Sequence, residues 1–392
     1  MPFSDVRYMR WMKEHSGAHP YALAESGLPA ATPEDLAATA ADILVSHPDA
    51  YGYGPLAERL AGAFGVEAAR VLVAPSASFV NFLLLAALLE DGGEALVEVP
   101  GYEPHVRAAE AAGGRIRHLP RREDAGFLPD PADVAARIGS QTRVVLLTNL
   151  HNPSGVLIPE EALREIGEVA ERAGATVLVD EVFLSHLLED GPADASAASA
   201  SAVGRWRFGK SAVPAGRMQG PFASVGSWTK SHGLGGLRVG WAVADPELVR
   251  AAYRVNDSLV VVGSAPADHL MLLALDRMHG YRRRMRARVA ENRAIVEAWM
   301  AAMPGLACVL PAGGIVCFPR LPEGVGSWPL VRLLLDELGV HIAPGDFFGA
   351  PGHVRIGFGG ETPALREGLR RIGEGIERVR RGESARSRIV AG

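Results

Sequence analysis

One lysine follows an apolar run at a place where a parallel sheet would present it to a ligand. Lys230 ends the segment Ser-Trp-Thr-Lys, directly after the strand-like residues 222–225 and ahead of a glycine-rich stretch. A lysine at a strand end, beside polar neighbours, is placed to form a Schiff base with a carbonyl compound. Taken alone, an ordinary surface lysine is the competing interpretation.

An acidic residue closes another apolar run. Asp180 and Glu181 come directly after the residues TVLV at 176–179. A carboxylate at the end of a buried strand needs a cationic or hydrogen-bonding partner, and the protonated nitrogen of a pyridine ring would be such a partner. Capping of a following helix explains an acid at this place equally well.

Two other strand ends carry residues that could contact a ligand. Asn152 lies in the turn-rich segment TNLHNPSG, and its amide would bond a ligand oxygen or stabilise the turn. Tyr102 follows the run EALVEV, where a core tyrosine is the more common explanation for a single aromatic residue.

Small residues and two arginines are candidates for binding anions. Ser76, Ala77 and Ser78 precede an apolar helix, and small residues at a helix start leave N–H groups free for a phosphate, although ordinary capping would explain them too. Arg238 lies in GLRVGW and Arg355 in HVRIGF. An arginine in an apolar strand must be paired, and its planar fork favours phosphate or carboxylate.

Several common kinds of site are excluded by missing motifs. No GxGxxG follows a strand, and GxxxxGK[ST], HExxH and CxxC are absent from the sequence, which removes dinucleotide, P-loop and common zinc sites. Two cysteines, Cys308 and Cys317, are too few for a disulfide framework or a Cys-rich metal site. We therefore expect no metal, and a reducing cytoplasm.

Length and composition are typical of a globular protein. The 392 residues are 48% hydrophobic and 22% charged, enough for two or three structural units. A net charge of −5 argues against a nucleic-acid partner. The longest apolar run, residues 82–89, is too short to cross a bilayer, and the N-terminus lacks the pattern of a secretory signal.

Strands and helices alternate along the part of the chain that would position these residues. Four near-continuous apolar runs suit strands buried on both faces: 94–99, 143–148, 176–179 and 239–244. Residues 159–173 predict a helix that Gly174 ends, which completes a βαβ unit. The pattern predicts an α/β fold with a mostly parallel sheet covered by helices on both faces.

Two regions depart from this alternation. Residues 193–215 are rich in small residues and predict a mobile surface insertion. Its Arg205, Arg207 and Lys210 could reach a substrate anion, but a solvated loop is favoured.

The chain after residue 285 predicts a second, smaller α+β domain. Long Arg-rich helices alternate there with short strand-like runs at 313–319 and 353–358. We expect an N-terminal segment, residues 1–48, to complete this domain of residues 286–392, and residues 49–285 to form the large ligand-binding domain.

Together these segments resemble the pyridoxal-phosphate-dependent aminotransferases of class I/II, which have fold type I. The matching segments are YGYGPLAERLA from Tyr51, then PGYEPH, NLHNPSG, VDEV, SWTKSHGLGGLRVGW and VRIGFG. They extend over nearly the whole chain, and their combination is specific. The resemblance implies pyridoxal 5'-phosphate as cofactor, amino-acid and 2-oxo-acid substrates, and a homodimer.

The resemblance also implies a role for each candidate residue. Lys230 would form the internal aldimine and move a proton between the substrate α-carbon and the cofactor, while Asp180 would keep the pyridine nitrogen protonated. Tyr102 would stack on the ring, Asn152 would bond its hydroxyl and contact substrate, and Arg355 would bind the substrate α-carboxylate. The implied phosphate ligands are Ser76, Ala77, Ser78, Ser227 and Arg238.

Sites of this family lie at a dimer interface, so Tyr51 or Tyr53 would reach the phosphate of the neighbouring subunit. The sequence does not distinguish the two.

Three features depart from the family pattern. Phe183 stands where the family has tyrosine in DEVY, which removes a hydroxyl donor to the ring oxygen. We expect a raised aldimine pKa and Asn152 as the main partner of that oxygen. Ser76 stands where the phosphate turn usually has glycine, and the insertion before the lysine strand is long.

The leading functional prediction is therefore an aminotransferase acting on an α-amino acid and a 2-oxo acid. A second prediction keeps the cofactor but directs the carbanion to elimination, cyclisation or substitution on the side chain. A third, a ligand-binding protein without turnover, is disfavoured because Lys230, Asp180 and Arg355 are all present. Arg254 and the arginines of the insertion are candidates for a second carboxylate only by charge.

Overall fold

The computed structural model describes residues 3–189 and 205–383. The helices are α1 (Arg7–His15), α2 (Gly54–Phe64), α3 (Ala77–Leu88), α4 (Glu103–Ala111), α5 (Pro131–Arg137), α6 (Glu160–Ala173), α7 (Pro246–Asp257), α8 (Ala265–Arg277), α9 (His279–Ala302), α10 (Ser327–Leu333) and α11 (Thr362–Arg380). The strands are β1 (Tyr21–Ala22), β2 (Val71–Pro75), β3 (Glu94–Val99), β4 (Arg115–Pro120), β5 (Thr142–Thr148), β6 (Thr176–Asp180), β7 (Phe222–Gly226), β8 (Val239–Val243), β9 (Val316–Cys317), β10 (Val340–His341), β11 (Ala343–Pro344) and β12 (Val354–Gly357).

A seven-stranded sheet lies at the centre of the described chain, in the order β2-β8-β7-β6-β5-β3-β4. The pairs from β4 through β3, β5 and β6 to β7 are parallel, whereas β8 is antiparallel to both β2 and β7. Apolar side chains of α3 and α7 cover one face and those of α6 cover the other. The predicted α/β fold with a mostly parallel sheet is confirmed.

The predicted element bounds differ from the observed ones by small shifts. β6 includes Asp180 as its last residue, which places the carboxylate at the sheet edge. Helix α6 ends at Gly174, whose φ of 69° lies in the left-handed region that glycine tolerates. The apolar helix α3 begins at Ala77 because Ser76 caps it, with its Oγ accepting a hydrogen bond from the Phe79 N–H.

A smaller group of strands lies C-terminal to the main sheet. β11, β12 and β9 form an antiparallel sheet, so the predicted runs 313–319 and 353–358 are strands only over their central residues. β1 pairs with β10 in parallel, which joins the N-terminal segment to the C-terminal part of the chain. Helix α9 runs continuously across residue 285. The domain boundaries stay predictions.

The predicted surface insertion is only partly visible, because residues 190–204 lie outside the described residues. Over residues 205–215 the expectation of a surface loop is wrong for Trp206, Ala212, Pro214 and Ala215, which are buried. Trp206 is buried and its ring lies 5.4 Å from Phe64 and 5.8 Å from Trp228. Arg205, Arg207 and Lys210 are exposed.

None of the described helices combines the length and apolar character that a bilayer crossing requires.

Candidate active site

The carboxyl ends of four parallel strands meet at one cleft of about 610 Å³. In an open α/β sheet this edge is where ligands bind. Among the residues lining the cleft are nine of the predicted site residues: Ser76, Ala77, Ser78, Tyr102, Asn152, Asp180, Ser227, Lys230 and Arg238. The structure therefore brings together residues that are up to 162 positions apart in the sequence.

The Asp180 carboxylate is held by donors from two helices. Asn81 Nδ2 on α3 donates to Oδ2 at 2.7 Å, and His105 Nε2 on α4 lies 3.0 Å from the same oxygen. The Val182 N–H donates to Oδ1 at 3.1 Å. These contacts fix the orientation of the carboxylate in the cleft.

The neighbouring acid, Glu181, points away from the cleft. Its carboxylate accepts the Ala215 N–H at 2.9 Å and the Ser224 hydroxyl, and burial raises the pKa of Glu181 to about 8. Of the two adjacent acids, Asp180 is thus the one available to a ligand.

The start of α3 forms a cradle suited to an anion. The Ser76 backbone has φ 64°, a region that normally favours glycine, and its N–H donates to the Arg238 carbonyl at 2.9 Å. β8 packs closely against the start of α3, because a Cβ on Gly240 would lie only 2.4 Å from the Ala77 nitrogen. The α3 N-terminus and the exposed Arg238 together present N–H groups and positive charge.

Lys230 lies in the turn after β7 and lines the same cleft as this cradle. Its carbonyl accepts the Leu28 N–H at 2.8 Å, which ties the turn to the N-terminal segment. Burial, and then the positive charges of Arg355 and Arg238, lower the pKa of Lys230 to about 8 from its usual 10.5. The amine is therefore partly neutral near physiological pH, as a nucleophile or base requires.

We expect the pH dependence of cofactor loading to report this lowered pKa. Only the neutral amine attacks an aldehyde, and a pKa of about 8 leaves about one tenth of Lys230 neutral at pH 7, against about 3 in 10⁴ for an ordinary lysine. The rate of pyridoxal-phosphate capture by the apoprotein should therefore rise with pH and level off above about pH 8. Stopped-flow absorbance measures this rate, and a rise continuing to about pH 10 would show that the amine is unperturbed.

Three predicted residues do not line the cleft. Arg355 is fully buried; its Nη1 donates to Asn152 Oδ1 at 3.0 Å, and its Nη2 donates to the Tyr8 hydroxyl at 2.7 Å. Tyr53 is buried against His269, with its hydroxyl 3.0 Å from Nδ1, whereas Tyr51 is 61% exposed.

A buried ion pair supports the strand ends behind the cleft. Arg121 Nη1 lies 2.7 Å from Glu98 Oε2, and both side chains are almost fully buried. Glu98 also accepts the Thr148 N–H at 2.9 Å, and Thr148 Oγ1 accepts the Asn152 N–H at 3.0 Å. The pair therefore positions Asn152 through Thr148.

Replacing Arg121 by methionine should destabilise the protein by roughly 3–5 kcal/mol, because the Glu98 charge would remain buried without its partner. Urea unfolding measures the loss. Arg117→Met is the matched control, since Arg117 pairs with Glu94 near the surface and its loss should cost under about 1 kcal/mol. Equal losses for the two variants would contradict this role of Arg121.

The helix-borne partners of Asp180 were not predicted. Asn81 carries a usable signal, because a polar residue inside the apolar helix SFVNFLLL must find a partner when buried. His105 and Ser26 carry no such signal, and only the fold brings them to the cleft.

The fold and the cleft together define a class of enzyme. The family model described as aminotransferase class I and II matches residues 19–372, and the chain belongs to this family. The protein is thus a pyridoxal-phosphate-dependent transferase of the aminotransferase type, and the predicted family, cofactor and activity class are confirmed.

Individual relatives lie at moderate distance. Capreomycidine synthase of Streptomyces vinaceus is 31% identical over 290 residues, covering 74% of this chain and 70% of that protein. Arginine–pyruvate transaminase AruH of Pseudomonas aeruginosa is 29% identical over 356 residues, covering 87% and 86%. Among solved structures, the pyridoxal-phosphate-dependent cyclase OrfR superposes with a TM-score of 0.80 at 26% identity, covering 97% and 98%.

Proposed function

We propose that Lys230 and Asp180 carry amino transfer from an α-amino acid to a 2-oxo acid in this cleft. The observation that supports this most is that both residues line one cavity. The anion cradle at the start of α3 lines the same cavity. The cradle, the oriented carboxylate and the lysine of lowered pKa match the phosphate, ring nitrogen and aldehyde of pyridoxal phosphate, so the residues present fit this cofactor.

The bound cofactor supplies an electron sink for the electron pair released at the substrate α-carbon. Lys230 Nζ, neutral over part of the population near pH 7, takes the α-proton and returns it at the acceptor carbon. Asp180 would pair with the ring nitrogen of the bound cofactor, and Asn81 and His105 hold that carboxylate in place. Tyr102, at the end of β3, forms one wall of the cleft.

Arg355 is proposed to bind the substrate carboxylate. Its Nη1 donates to Asn152 Oδ1, and Asn152 itself lines the cleft, so the guanidinium lies directly behind the cleft wall. Arg355 Nε is buried and has no hydrogen-bond partner in the described structure, which leaves donor capacity for a carboxylate.

A half-reaction tests the proposed transfer. Holoenzyme mixed with single amino donors, without acceptor, should accumulate pyridoxamine phosphate and the matching 2-oxo acid, which mass spectrometry identifies. A donor panel also names the substrate. Donor consumption without pyridoxamine phosphate would overturn amino transfer as the main reaction.

A second candidate is ring closure or elimination on the substrate side chain. It is supported by capreomycidine synthase and the cyclase OrfR among the relatives, and by Phe183, which lines the cleft where a tyrosine hydroxyl is expected. This reaction would give a cyclic or unsaturated amino-acid product in the same half-reaction.

We also propose a homodimer located in the cytoplasm. Apolar side chains at 259–262 and Tyr51 are exposed on one subunit, which suits burial in an interface. Light scattering should give twice the 41.5 kDa chain mass.

Tyr51 is the proposed contact to the phosphate of the neighbouring subunit, because the Tyr53 hydroxyl already bonds His269 of its own chain. Tyr51→Phe, unlike Tyr53→Phe, should therefore weaken cofactor binding.

The free thiols Cys308 and Cys317 support the proposed reducing compartment.

A further inference from the structure

Glu25 lies in a segment of the chain that contacts both Arg355 and the cofactor cleft. The carbonyl of Ala24 accepts Arg355 Nη2 at 2.8 Å, and Ser26 lines the cofactor cleft. Glu25, between them, is exposed and lines a second cavity. Glu25 and Lys230 therefore line the same cavity, and the residues on both sides of Glu25 contact Arg355 or the cleft.

This second cavity continues the first around Lys230. It holds about 910 Å³ of space, part of it open to solvent, and Thr229 and Lys230 line both spaces. Much of its wall is glycine, at 27, 233, 235, 236, 357, 359 and 360. At Gly27 a Cβ would come within 3.5 Å of Lys230 Cδ, so the absent side chain leaves room next to the lysine. A substrate side chain longer than a few atoms can be accommodated here.

Apart from Lys230, the charge that lines this cavity is negative. Glu25 is the only other charged residue among the described residues that line it. No described residue forms an ion pair or a hydrogen bond with the Glu25 carboxylate. Its field reaches Lys230, because the negative charge of Glu25 opposes the lowering of the Lys230 pKa by burial. The carboxylate is therefore close to the reacting centre and has no cation bound to it.

The second cavity adjoins the cleft at Thr229 and Lys230. A substrate whose amine is at Lys230 can therefore extend its side chain into the space that Glu25 borders. A side-chain carboxylate there would be repelled, and among described residues no arginine lines the cavity to bind one. A guanidinium or ammonium group would instead complete a charge-assisted hydrogen bond.

We infer that Glu25 selects amino donors whose side chain ends in a cation, with a guanidinium group as the best match to its carboxylate. This inference rests on the proposed amino transfer and adds the substrate class to it. Glu25 acts as a specificity residue, since the α-carbon chemistry belongs to Lys230 and Asp180.

The test compares arginine with citrulline, which has nearly the same shape but no charge, and with glutamate. For the unmodified holoenzyme we expect kcat/KM for arginine to exceed that for citrulline by on the order of tenfold to a hundredfold, the range of one charged hydrogen bond. Glu25→Gln should remove this ratio by raising KM for arginine while leaving citrulline within about threefold. Glu25→Lys should shift the preference toward glutamate.

Glu14→Gln serves as the matched control, because Glu14 is an exposed glutamate on α1 and does not line either cavity. It should leave the arginine-to-citrulline ratio unchanged. Glutamate preferred over arginine by the unmodified enzyme, or a ratio that Glu25→Gln leaves within about twofold, would overturn the inference.

Failure of the proposed transfer is separately visible. If no donor yields pyridoxamine phosphate, amino transfer is overturned, and the role of Glu25 is then decided by binding. Titration of the cofactor absorbance should give a lower Kd for arginine than for citrulline in the unmodified protein and equal values in Glu25→Gln. Equal values in both proteins would overturn the inference.

Discussion

Replacing Lys230 by alanine is expected to abolish the borohydride-trappable bond between protein and cofactor and to lower kcat for amino transfer by at least about 10⁴-fold. The amine is both the covalent attachment point and the group that moves the α-proton. Its pKa of about 8 results from burial and from the positive charges of Arg355 and Arg238. Mass spectrometry after reduction measures the linkage, and a half-reaction measures the rate.

The chain offers well-matched controls for this experiment. It contains three lysines, and the other two, Lys13 and Lys210, are exposed and do not line the cleft. Lys13→Ala and Lys210→Ala should retain both the linkage and the rate. A reduced adduct that persists in Lys230→Ala would have to lie on another amine and would refute the assignment.

The central sheet could be predicted from the sequence because its strands are buried on both faces. The runs EALVEV and TVLV are apolar along their whole length, as burial under helices on both sides demands. The antiparallel direction of β8 and the pairing of β1 with β10 could not be predicted, because they depend on contacts between distant segments. The burial of Trp206 could not be predicted either, because the residues on both sides of it are arginines and its ring packs against the distant Trp228.

The residues of the candidate site also fall into two groups, those whose position follows from the local sequence and those brought in by tertiary packing. Lys230 and Asp180 directly follow apolar runs, so their place at the sheet edge is encoded locally. His105 and Glu25 reach the site only through the packing of α4 and of the N-terminal segment. The interior position of Arg355 likewise depends on α1, which supplies Tyr8 to its guanidinium. Residue type and local pattern therefore indicate the reacting groups, and tertiary packing determines the groups that orient them and set selectivity.

The groups proposed to bind the cofactor phosphate are different from the Asp180 carboxylate, which is proposed to act in catalysis. The anion cradle at the start of α3 involves backbone N–H groups and Arg238, none of which depends on the Asp180 charge. Asn81 and His105 would still flank an amide at position 180. Loss of the carboxylate charge should therefore act on rate far more than on binding.

Asp180→Asn is accordingly expected to lower kcat by on the order of 10³-fold, the scale of one preorganised electrostatic group, while raising the cofactor Kd by less than about tenfold. A neutral amide cannot hold the proton on a pyridine nitrogen, so the released electron pair is stabilised less well. Single-turnover rates and fluorescence titration of the cofactor measure the two quantities. Asp245→Asn, at the exposed cap of α7, is the control and should change neither. Losses of equal size in rate and binding would show that Asp180 holds the cofactor in place and does not tune its chemistry.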